Sequence, residues 1–435
     1  MAVHEHIQAL YMDALHKHLE GDLSSAERLY REIISQAPDA AQAKHYLGFL
    51  LQQTDRLTES VALLTAAIAL ENNHAEWHFN LGITLARQDL KRSAINAYTK
   101  AIAIDPDKYF YWTNLGSAFE SCGELDRAEQ CYSTATKIDA NCPDAFYLLS
   151  ALYLKQERYT EARHSNYCGI IAAPATITSR IMLAQAYYEL GRIEDAVAVL
   201  ENWLLAEPDN PVARHLITAY RGLPAPEKCA VQYVEQTFDA FANSFDTILG
   251  RLKYCGPQLV HEYVAGLTPA AANLDVLDLG CGTGLVGEML SPYAGKLVGV
   301  DLSQAMLDQA AIKQIYHQLH KADICDYLSA SNGKYDLITC MDTFIYLGQL
   351  DELLAQIYRQ LKPAGILIFS TETLIEANAL GYQLNISGRY SHHPEYLTKL
   401  LCNTGFLINN IHDVPIRTES GCPTPGQFVC VIKPD

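Results

Sequence analysis

The chain has 435 residues, of which 49% are hydrophobic, and a formal net charge of −18. This length predicts two or three domains with proper cores. Residues 1–222 hold 19 Lys and Arg against 28 Asp and Glu, and the remainder holds 13 against 22, so each half carries −9. Two acidic halves argue against a nucleic-acid or lipid-binding protein, and we expect neither nucleic acid nor a membrane as a partner.

Cysteine usage and the first segment indicate the compartment. The 12 cysteines include no C-x-x-C pair, and their scatter is typical of reduced thiols rather than of a disulfide framework or a zinc site. The opening segment MAVHEHIQALYMDALHKHLEG is amphipathic without an apolar core, and no apolar run of about 18 residues occurs. We expect a cytoplasmic protein without a metal.

The first half repeats with a period of 34 residues. Small side chains let paired helices approach, large ones fill the adjacent hole, and proline ends the second helix. The prolines are Pro38, Pro106, Pro174 and Pro208, the small positions are Ala14, Gly48, Gly82, Gly116, Ser150 and Ala184, and the large positions are Tyr30, Leu64, Tyr98, Tyr132 and Leu200, with Asn166 as the exception. Gly21, Gly123 and Gly191 fall in the turns between paired helices, where a positive φ is useful.

Six such units, over about residues 7–210, resemble tetratricopeptide repeats. The segment AEWHFNLGITLARQDLKRSAINAYTKAIAIDPDK at 75–108 is among the closest to that pattern, and PVARHLITAYRG at 211–222 would be a capping helix. The resemblance implies an α-solenoid over residues 1–222 whose groove binds a protein or peptide. The alternative is a scaffold that only dimerises or stiffens the chain.

The second half alternates between strand and helix patterns. Residues 223–235 contain Pro224 and Pro226 and predict a linker, which leaves 236–435 as the second domain. Gln236–Tyr254 predicts an amphipathic helix whose phenylalanines at 238, 241 and 245 are either core or a lid over a cofactor. The alternation predicts a mainly parallel sheet covered on both faces. The predicted strands are 274–279, 296–301, 316–320, 335–341, 366–371, 406–412 and 427–432, and the predicted helices are 285–291, 303–313, 350–361 and 394–402. The last two strands have no helix between them, so we expect an antiparallel pair at one edge.

The loop DVLDLGCGTGLVG at 275–287 fits two cofactor motifs. From Gly282 it matches the dinucleotide pattern G-x-G-x-x-G, and from Asp278 it matches D-x-G-x-G-x-G, the loop that holds S-adenosylmethionine. Asp301, at the end of the second predicted strand, suits the ribose hydroxyls of either cofactor. A carboxylate at Asp278 would repel a pyrophosphate but suits the ammonium and sulfonium of S-adenosylmethionine. Hydride transfer is therefore disfavoured.

Residues from about 236 to 433 resemble the class I S-adenosylmethionine-dependent methyltransferases, and the whole chain resembles the bacterial type with N-terminal tetratricopeptide repeats. The motifs VLDLGCGTG at 276–284, VGVDLS at 298–303, YDLITCMDTFIYL at 335–347 and LKPAGILIFSTE at 361–372 follow in the family's order. Ala364 departs from the family, which usually has glycine there. The resemblance implies an α-solenoid followed by a Rossmann-like α/β domain with a mainly parallel seven-stranded sheet and an antiparallel edge.

The resemblance also implies a cofactor site. Asp278 would meet the methionine end of S-adenosyl-L-methionine, Asp301 the ribose diol, Met306 the adenine face and Asp323 the adenine amino group. The implied cofactor-binding set is completed by Gly280, Cys281, Gly282, Gly284, Leu302, Ile324 and Met341. The product would be S-adenosyl-L-homocysteine, and no metal is required.

The candidates for the acceptor side come from two segments. Asp342 follows the fourth predicted strand and faces the methyl-transfer site in the general fold. The segment SGRYSHH at 387–393 resembles a G-R-Y-x-H segment of the repeat-bearing type. Arg389 could bind an anionic group there, and His392 could take a proton from an oxygen or nitrogen acceptor. The alternative is that Tyr390 packs and His392 is hydrogen-bonded.

We favour a methyltransferase that moves a methyl group in line to an O or N acceptor, with the repeats recruiting a protein or peptide partner or the substrate itself. The alternative is a repeat adaptor whose second domain binds S-adenosylmethionine or S-adenosylhomocysteine without turnover. The presence of Asp342 and of the Arg389–His392 segment favours the enzyme. The identity of the acceptor and the oligomeric state, including a homo-oligomer, stay open.

Overall fold

The computed structural model describes residues 2–174, 178–267, 273–419 and 422–435. The chain divides into two compact units, Met1–Thr178 and Ser179–Asp435. The domain boundary expected at residue 222 falls inside the second unit, so the last of the repeated helices share a unit with the α/β sheet.

The first unit consists of helices that pack in consecutive pairs. The described helices are α1 (Ala2–Leu19), α2 (Leu23–Gln36), α3 (Ala41–Gln53), α4 (Leu57–Leu70), α5 (Ala75–Arg87), α6 (Lys91–Ile104), α7 (Tyr109–Ser121), α8 (Leu125–Ile138), α9 (Pro143–Lys155) and α10 (Tyr159–Ala172). The two alternating lengths, 13 and 14 residues from α2 to α10, follow from the 34-residue period. The expected α-solenoid repeat is confirmed.

The small and large positions of the repeat pack against each other, as the period predicts. A Cβ added at Gly82 would lie 2.5 Å from the ring of Tyr98, and one at Gly116 would lie 2.6 Å from the ring of Tyr132. Both tyrosines are almost completely buried. Gly82 and Gly116 therefore have no room for a side chain where the tyrosine ring of the second helix lies against the backbone of the first.

The turns inside the helix pairs use the left-handed backbone region. Gly21, Gly123 and Gly191 have φ of 82°, 77° and 76°. Asp55 and Glu157, on the same 34-residue lattice, have φ of 61° and 58° although they carry a Cβ. Repeats that lack the turn glycine therefore keep its conformation under strain.

The second unit begins with six helices. They are α11 (Arg180–Glu189), α12 (Ile193–Ala206), α13 (Pro211–Tyr220), α14 (Val231–Phe241), α15 (Phe245–Arg251) and α16 (Gly256–Leu267), with a 3-10 turn, Ala242–Ser244, before α15. The single helix expected at Gln236–Tyr254 is thus broken into α14 and α15, and it begins five residues earlier than expected.

The remainder of the second unit is an α/β sheet. Its strands are β1 (Leu274–Leu279), β2 (Ala294–Asp301), β3 (Gln318–Lys321), β4 (Tyr335–Cys340), β5 (Leu361–Thr373), β6 (Tyr382–Leu384), β7 (Tyr390–His392), β8 (Leu407–Glu419) and β9 (Cys422–Ile432), and its helices are α17 (Leu285–Leu290), α18 (Gln304–Ile312), α19 (Ile324–Ala330), α20 (Asp351–Gln360) and α21 (Pro394–Thr404). The first five strands pair in parallel in the order β3-β2-β1-β4-β5. β9 pairs antiparallel with β5, and β8 pairs antiparallel with β9. The expected antiparallel edge is confirmed.

Apolar side chains cover both faces of the sheet. Val276 belongs to one buried cluster, whereas Leu277 and Leu279 belong to another on the opposite face. A strand that is buried on both faces reads as a continuous apolar run, which is why the sequence placed β1 at its observed bounds.

A β-hairpin and a short helix of this α/β region were not expected. The described sheet has nine strands rather than seven, because residues 382–392 form the hairpin β6–β7, and β7 pairs with the end of β5 at Glu372 and Thr373. The segment expected as a loop between the fifth strand and the next helix is therefore partly strand. Helix α19 was also missed, since seven residues give little periodic signal.

Candidate active site

A cavity of about 370 Å³ lies at the carboxyl ends of β1, β2 and β4. Its walls come from the loop after β1, the end of β2, the start of α19 and the segment after β4, and helices α14 and α15 cover it. Arg389, just before β7, and Arg417 and Glu419 of β8 close one end. Ligands of parallel α/β sheets bind at this edge because the loops at the strand ends converge there.

The glycines of the loop have different tasks. Gly280 has φ of 68°, and a Cβ there would lie 2.1 Å from Oγ1 of Thr343, so the residue allows the segment after β4 to approach. Gly282 has φ of 53°, and the nearest atom to an added Cβ is a ring carbon of Phe245 at 3.8 Å. Gly282 therefore leaves room on the cavity wall that a side chain would fill, which suits a cofactor lying against the backbone.

Asp301 joins this loop to the end of β2. One oxygen, Oδ2, accepts from the N–H of Gly282 at 2.9 Å, and Oδ1 accepts from the N–H of Ser303 at 2.8 Å. Burial raises the pKa of Asp301, while these backbone donors lower it. Each carboxylate oxygen has a second lone pair, and because the side chain lines the cavity, it can accept two hydroxyl groups from a ligand.

Asp278 and Gly284 lie beneath the loop and are not among the residues that line the cavity. The carboxylate of Asp278 accepts from the hydroxyl of Tyr316 at 2.7 Å and from that of Thr339 at 2.8 Å. Burial raises the pKa of Asp278 to about 6. Gly284 caps α17 with φ of 88°, and a Cβ there would meet Tyr316. Asp278 thus contributes a charge below the site rather than a group on its surface.

The remaining residues expected at the cofactor all line the cavity: Cys281, Leu302, Met306, Asp323, Ile324 and Met341. Asp323 caps α19, since its Oδ1 accepts from the N–H of Cys325 at 2.9 Å. Its Oδ2 pairs with the ammonium of Lys228 at 3.2 Å. Lys228 lies just before α14 and was not expected at the site.

Helices α14 and α15 form a lid, which we define as residues 231–251. Phe238, Phe241 and Phe245 line the cavity from this side. Two short hydrogen bonds hold the lid to the glycine loop and to the start of α18. The hydroxyl of Thr283 donates to Asp246 and that of Ser303 donates to Asp239, both at 2.5 Å.

The other end of the cavity holds an ionic cluster, which we call the arginine cluster: Asp342, Glu372, Arg389, Arg417 and Glu419. Arg417 is only 3% exposed, and it donates to Asp342 at 2.5 Å, to Glu419 at 2.7 Å and to Glu372. Arg389 donates to Glu372 at 2.7 Å and to Glu419 at 2.6 Å. Three carboxylates share two guanidinium groups, so the cluster carries a formal charge of −1.

Asp342 lies between this cluster and the cavity. Its φ is 53°, in the left-handed region that costs free energy for residues other than glycine, and its N–H donates to the hydroxyl of Ser370 at 2.9 Å. Its Oδ1 is bound by Arg417, while Oδ2 has no hydrogen-bond partner within the described part of the chain. A strained backbone that presents a carboxylate to a cavity is typical of functional sites.

Two residues that were expected at the acceptor, Tyr390 and His392, do not line the cavity. His392 is completely buried on β7, its Nε2 donates to the carbonyl of Gly348 at 3.0 Å, and burial lowers its pKa to about 4. Tyr390 is also buried and donates to the carbonyl of Pro226 at 2.7 Å. Neither side chain is among those that line the cavity. Arg389 does line it, but its pairing with Glu372 and Glu419 leaves it poorly placed to bind an anion.

The sequence did not identify three residues of this end, Glu372, Arg417 and Glu419. It also gave no sign that Tyr254 lines the cavity. Glu372 directly follows the predicted fifth strand, whereas Asp301 is the last residue of the predicted second strand, and an acid so close to a strand end is the signal that could have found Glu372. Arg417 and Glu419 lie on β8, five and seven residues past the predicted end of that strand at 412. No sequence pattern placed them near Asp342.

The described residues were also compared with the requirements of a metal site and of a membrane-spanning helix. Among them, no three His, Cys, Asp or Glu side chains are arranged to hold a metal ion. The helices of the described segments are all too short or too polar to cross a membrane.

The parallel order β3-β2-β1-β4-β5, the glycine loop after β1 and the acid at the end of β2 define a Rossmann-like domain of the class I methyltransferase type. Residues 276–365 match the family model of a methyltransferase domain. Residues 18–82, 75–108, 97–130 and 172–220 match models of tetratricopeptide repeats. The chain therefore carries a methyltransferase domain after tetratricopeptide repeats.

The relatives agree with this assignment. A ubiquinone biosynthesis O-methyltransferase of Thiobacillus denitrificans is 32% identical over 136 residues, which are 30% of this chain and 54% of the relative. One of Coxiella burnetii is 28% identical over 165 residues, or 33% of this chain and 69% of the relative. The chain thus spans about half the length of the first relative. A solved structure, a putative S-adenosylmethionine-dependent methyltransferase from Listeria monocytogenes, is 20% identical with a TM-score of 0.32, covering 40% of this chain and 98% of that one.

Proposed function

We propose that this protein is an S-adenosylmethionine-dependent methyltransferase that methylates an oxygen or nitrogen acceptor. The observation that carries the proposal is one continuous cavity that has Gly282 and Asp301 at one end and Asp342 at the other. A cofactor held at the first end would present its reactive group to an acceptor at the second. Positioning of this kind supplies much of the rate of a displacement reaction.

The residues present fit the cofactor. The backbone at Gly282 leaves space for it, and Asp301 has lone pairs for a ribose diol. Leu302, Met306 and Ile324 offer an apolar slot for adenine beside Asp323. When bound, S-adenosylmethionine supplies a methyl group already activated on a sulfonium, and S-adenosylhomocysteine is the product. Asp278 supplies negative charge beneath this end, which favours a cationic ligand over a pyrophosphate.

Asp342 is the residue that we assign to the acceptor. Its Oδ2 can accept a hydrogen bond from an O–H or N–H group and take the proton that transfer releases. Arg417 holds the other oxygen and so fixes the carboxylate. This role replaces the one expected for His392, whose ring is buried elsewhere. The names of the curated relatives, O-methyltransferases of ubiquinone biosynthesis, favour a hydroxyl acceptor.

We further propose that the repeats of the first unit bind a protein or peptide. An open hollow of about 440 Å³ lies between α7 and α9, lined by Asn114, Ser117, Asp144 and Tyr147 among others. Polar side chains beside a partly exposed tyrosine suit a peptide backbone and one apolar side chain. The hollow supports docking over a purely stiffening role.

Calorimetry with S-adenosylmethionine and S-adenosylhomocysteine tests the cofactor. We expect micromolar dissociation constants for wild type, at least about a tenfold loss in Asp301→Ala because two hydroxyl bonds disappear, and no binding of NAD. Asp308→Ala, which removes an exposed carboxylate from α18, is the matched control and should bind as wild type does. Failure of wild type to bind either sulfur compound would overturn the proposal.

Turnover distinguishes the enzyme from a non-catalytic adaptor. A panel of phenols, alcohols, amines and imidazoles, scored by S-adenosylhomocysteine release, should reveal an acceptor class. Asp342→Asn keeps the left-handed backbone accessible, since asparagine tolerates it, and should lower the rate by about 10²-fold or more with the cofactor still bound. Tight cofactor binding without turnover on any acceptor, including the protein captured by the first unit, would favour the adaptor.

A further inference from the structure

The last repeated helices and the β6–β7 hairpin share one apolar core. Within the second unit, Leu216 and Tyr220 of α13 belong to the same buried cluster as Tyr233 of α14 and Leu384 and Tyr390 of the hairpin. Within the described residues, the strands of the hairpin pair with the sheet at two positions, Ser391 with Glu372 and His392 with Thr373 of β5. Much of its support therefore comes from α12, α13 and α14 rather than from the sheet.

One buried polar contact crosses this core. His215, on α13, is 6% exposed, and its Nε2 donates to the carbonyl of Gly388 at 2.9 Å. The ring stacks on Tyr233 with centroids 4.2 Å apart. Burial lowers the pKa of His215, which keeps the imidazole neutral. The thiol of Cys229 lies near the same carbonyl, at 3.7 Å.

The backbone of Gly388 packs closely at this contact. Its φ is 77°, and an added Cβ would lie 2.3 Å from the hydroxyl of Tyr233. The turn is closed by a hydrogen bond from the N–H of Asn385 to the carbonyl of Arg389, at 2.8 Å. His215 thus holds the carbonyl of the residue that directly precedes Arg389.

A chain of contacts leads from that turn to the acceptor end. Arg389 donates to Glu372 and Glu419. Arg417 donates to the same two carboxylates and also to Asp342. Displacement of Arg389 would leave Glu372 and Glu419 to compete for Arg417, and the carboxylate of Asp342 would lose part of its restraint.

We propose that His215 is a positioning residue for the methyl-transfer site. It holds the Gly388 carbonyl, so that the guanidinium of Arg389 stays within the arginine cluster and Asp342 keeps its orientation. The helix that follows the last repeat is then a working part of the catalytic unit. The kinetic part of this inference rests on the proposed function, whereas the structural part does not.

Two substitutions at one position separate the hydrogen bond from the packing. His215→Phe keeps a ring against Tyr233 but loses the donor. His215→Gln keeps an N–H donor at about the position of Nε2 and loses the stack. His261→Phe, exposed on α16, is the matched control. All three are made in the full-length chain.

Hydrogen–deuterium exchange of residues 385–392 is the first measurement, because it needs neither cofactor nor acceptor. We expect exchange there to rise about tenfold in His215→Phe and to return towards the wild-type rate in His215→Gln, since one buried hydrogen bond is lost and then restored. Equal exchange in wild type and His215→Phe, or equal increases in both variants, would overturn the positioning role. Should His215→Phe fail to fold, His215→Gln with wild-type exchange and His215→Leu with raised exchange test the same bond.

Ligand measurements distinguish this inference from the proposed function. We expect S-adenosylhomocysteine to bind His215→Phe within about twofold of wild type, because His215 is not among the residues that line the cavity. The turnover number on the acceptor found in the panel should fall about tenfold and recover in His215→Gln. A wild type that binds no S-adenosylhomocysteine contradicts the proposed function alone, whereas unchanged turnover in His215→Phe contradicts the positioning role alone.

Discussion

Arg417 donates from Nη1 to Oδ1 of Asp342 at 2.5 Å across 75 residues of chain. The same guanidinium binds Glu372 and Glu419, which Arg389 also binds. No positive charge is left over in this cluster for an anionic acceptor. The arrangement favours a neutral or cationic acceptor group, such as a hydroxyl or an amine, next to Asp342.

Removal of Arg417 should be strongly destabilising. Arg417→Met leaves three carboxylates with one arginine at a site where the removed group was 3% exposed, and the free energy of unfolding should fall by about 3–5 kcal/mol. Arg221→Met breaks an exposed pair with Glu201 and should cost less than about 1 kcal/mol. Urea denaturation of both variants measures the difference. Equal losses would show that the arginine cluster is not held together by Arg417.

Asp278 should make stability depend on pH. Its folded-state pKa is raised from 3.8 to about 6 by burial, so its favourable contribution is complete below about pH 3.8 and is lost as the pH rises through about 6. A change of the pKa from 3.8 to about 6 corresponds to roughly 3 kcal/mol of free energy. Asp278→Asn does not ionise, so its melting temperature relative to wild type should rise between pH 4 and pH 7.

Thermal unfolding at four pH values across that interval measures the Asp278 effect. Asp308→Asn, at an exposed position on α18, is the control and should keep a constant offset from wild type. A constant offset in Asp278→Asn as well would mean that the carboxyl titrates in the folded protein as it does in the unfolded chain.

The sequence predicted the regular elements of the sheet well and the short ones poorly. β1 was placed at its observed bounds because it is buried on both faces, and β4 was placed to within one residue. The hairpin β6–β7 has strands of three residues, too short for an alternating pattern to stand out. The resemblance in residues 387–393 therefore identified the segment that contains Arg389, which lines the cavity. It also predicted His392 beside the acceptor, whereas that side chain is buried away from the cavity.

The two ends of the candidate site also differ in how well the sequence predicted them. At the cofactor end, the loop from Asp278 to Gly284 is one local segment whose residue types follow from backbone geometry, and Asp301 stands at the end of a predicted strand. The acceptor end depends on Asp342, Glu372, Arg389 and Arg417, which come from four strand ends. Local patterns carry no information about which distant charges meet, and that is why Arg417 was missed.

The strained turns of the repeats offer a stabilising substitution. Glu157 has φ of 58° in the turn before α10, where other repeats have glycine. Glu157→Gly relieves the left-handed strain, which exceeds the extra entropy of the unfolded chain, and should raise the unfolding free energy by about 1 kcal/mol. Lys100→Gly, at an exposed position inside α6, should lower it by a similar amount. Thermal unfolding of both variants checks the opposite signs, and destabilisation by Glu157→Gly would contradict the strain.

The glycine loop gives a second matched pair of substitutions. Gly280→Ala would place a Cβ 2.1 Å from Oγ1 of Thr343 in a residue whose φ is already 68°. The segment after β4 must then move, and with it Asp342, so we expect the protein to lose about 2 kcal/mol or more of stability and S-adenosylhomocysteine to bind at least about tenfold more weakly.

The matched control is Gly250→Ala in α15, where an added Cβ meets no other atom within 4 Å. It should raise stability by about 0.5–1 kcal/mol while binding stays within about twofold of wild type. Calorimetry and thermal unfolding of the two variants give both numbers. If Gly280→Ala bound the ligand as wild type does, the contact between the glycine loop and the segment after β4 would have no part in shaping the cofactor end.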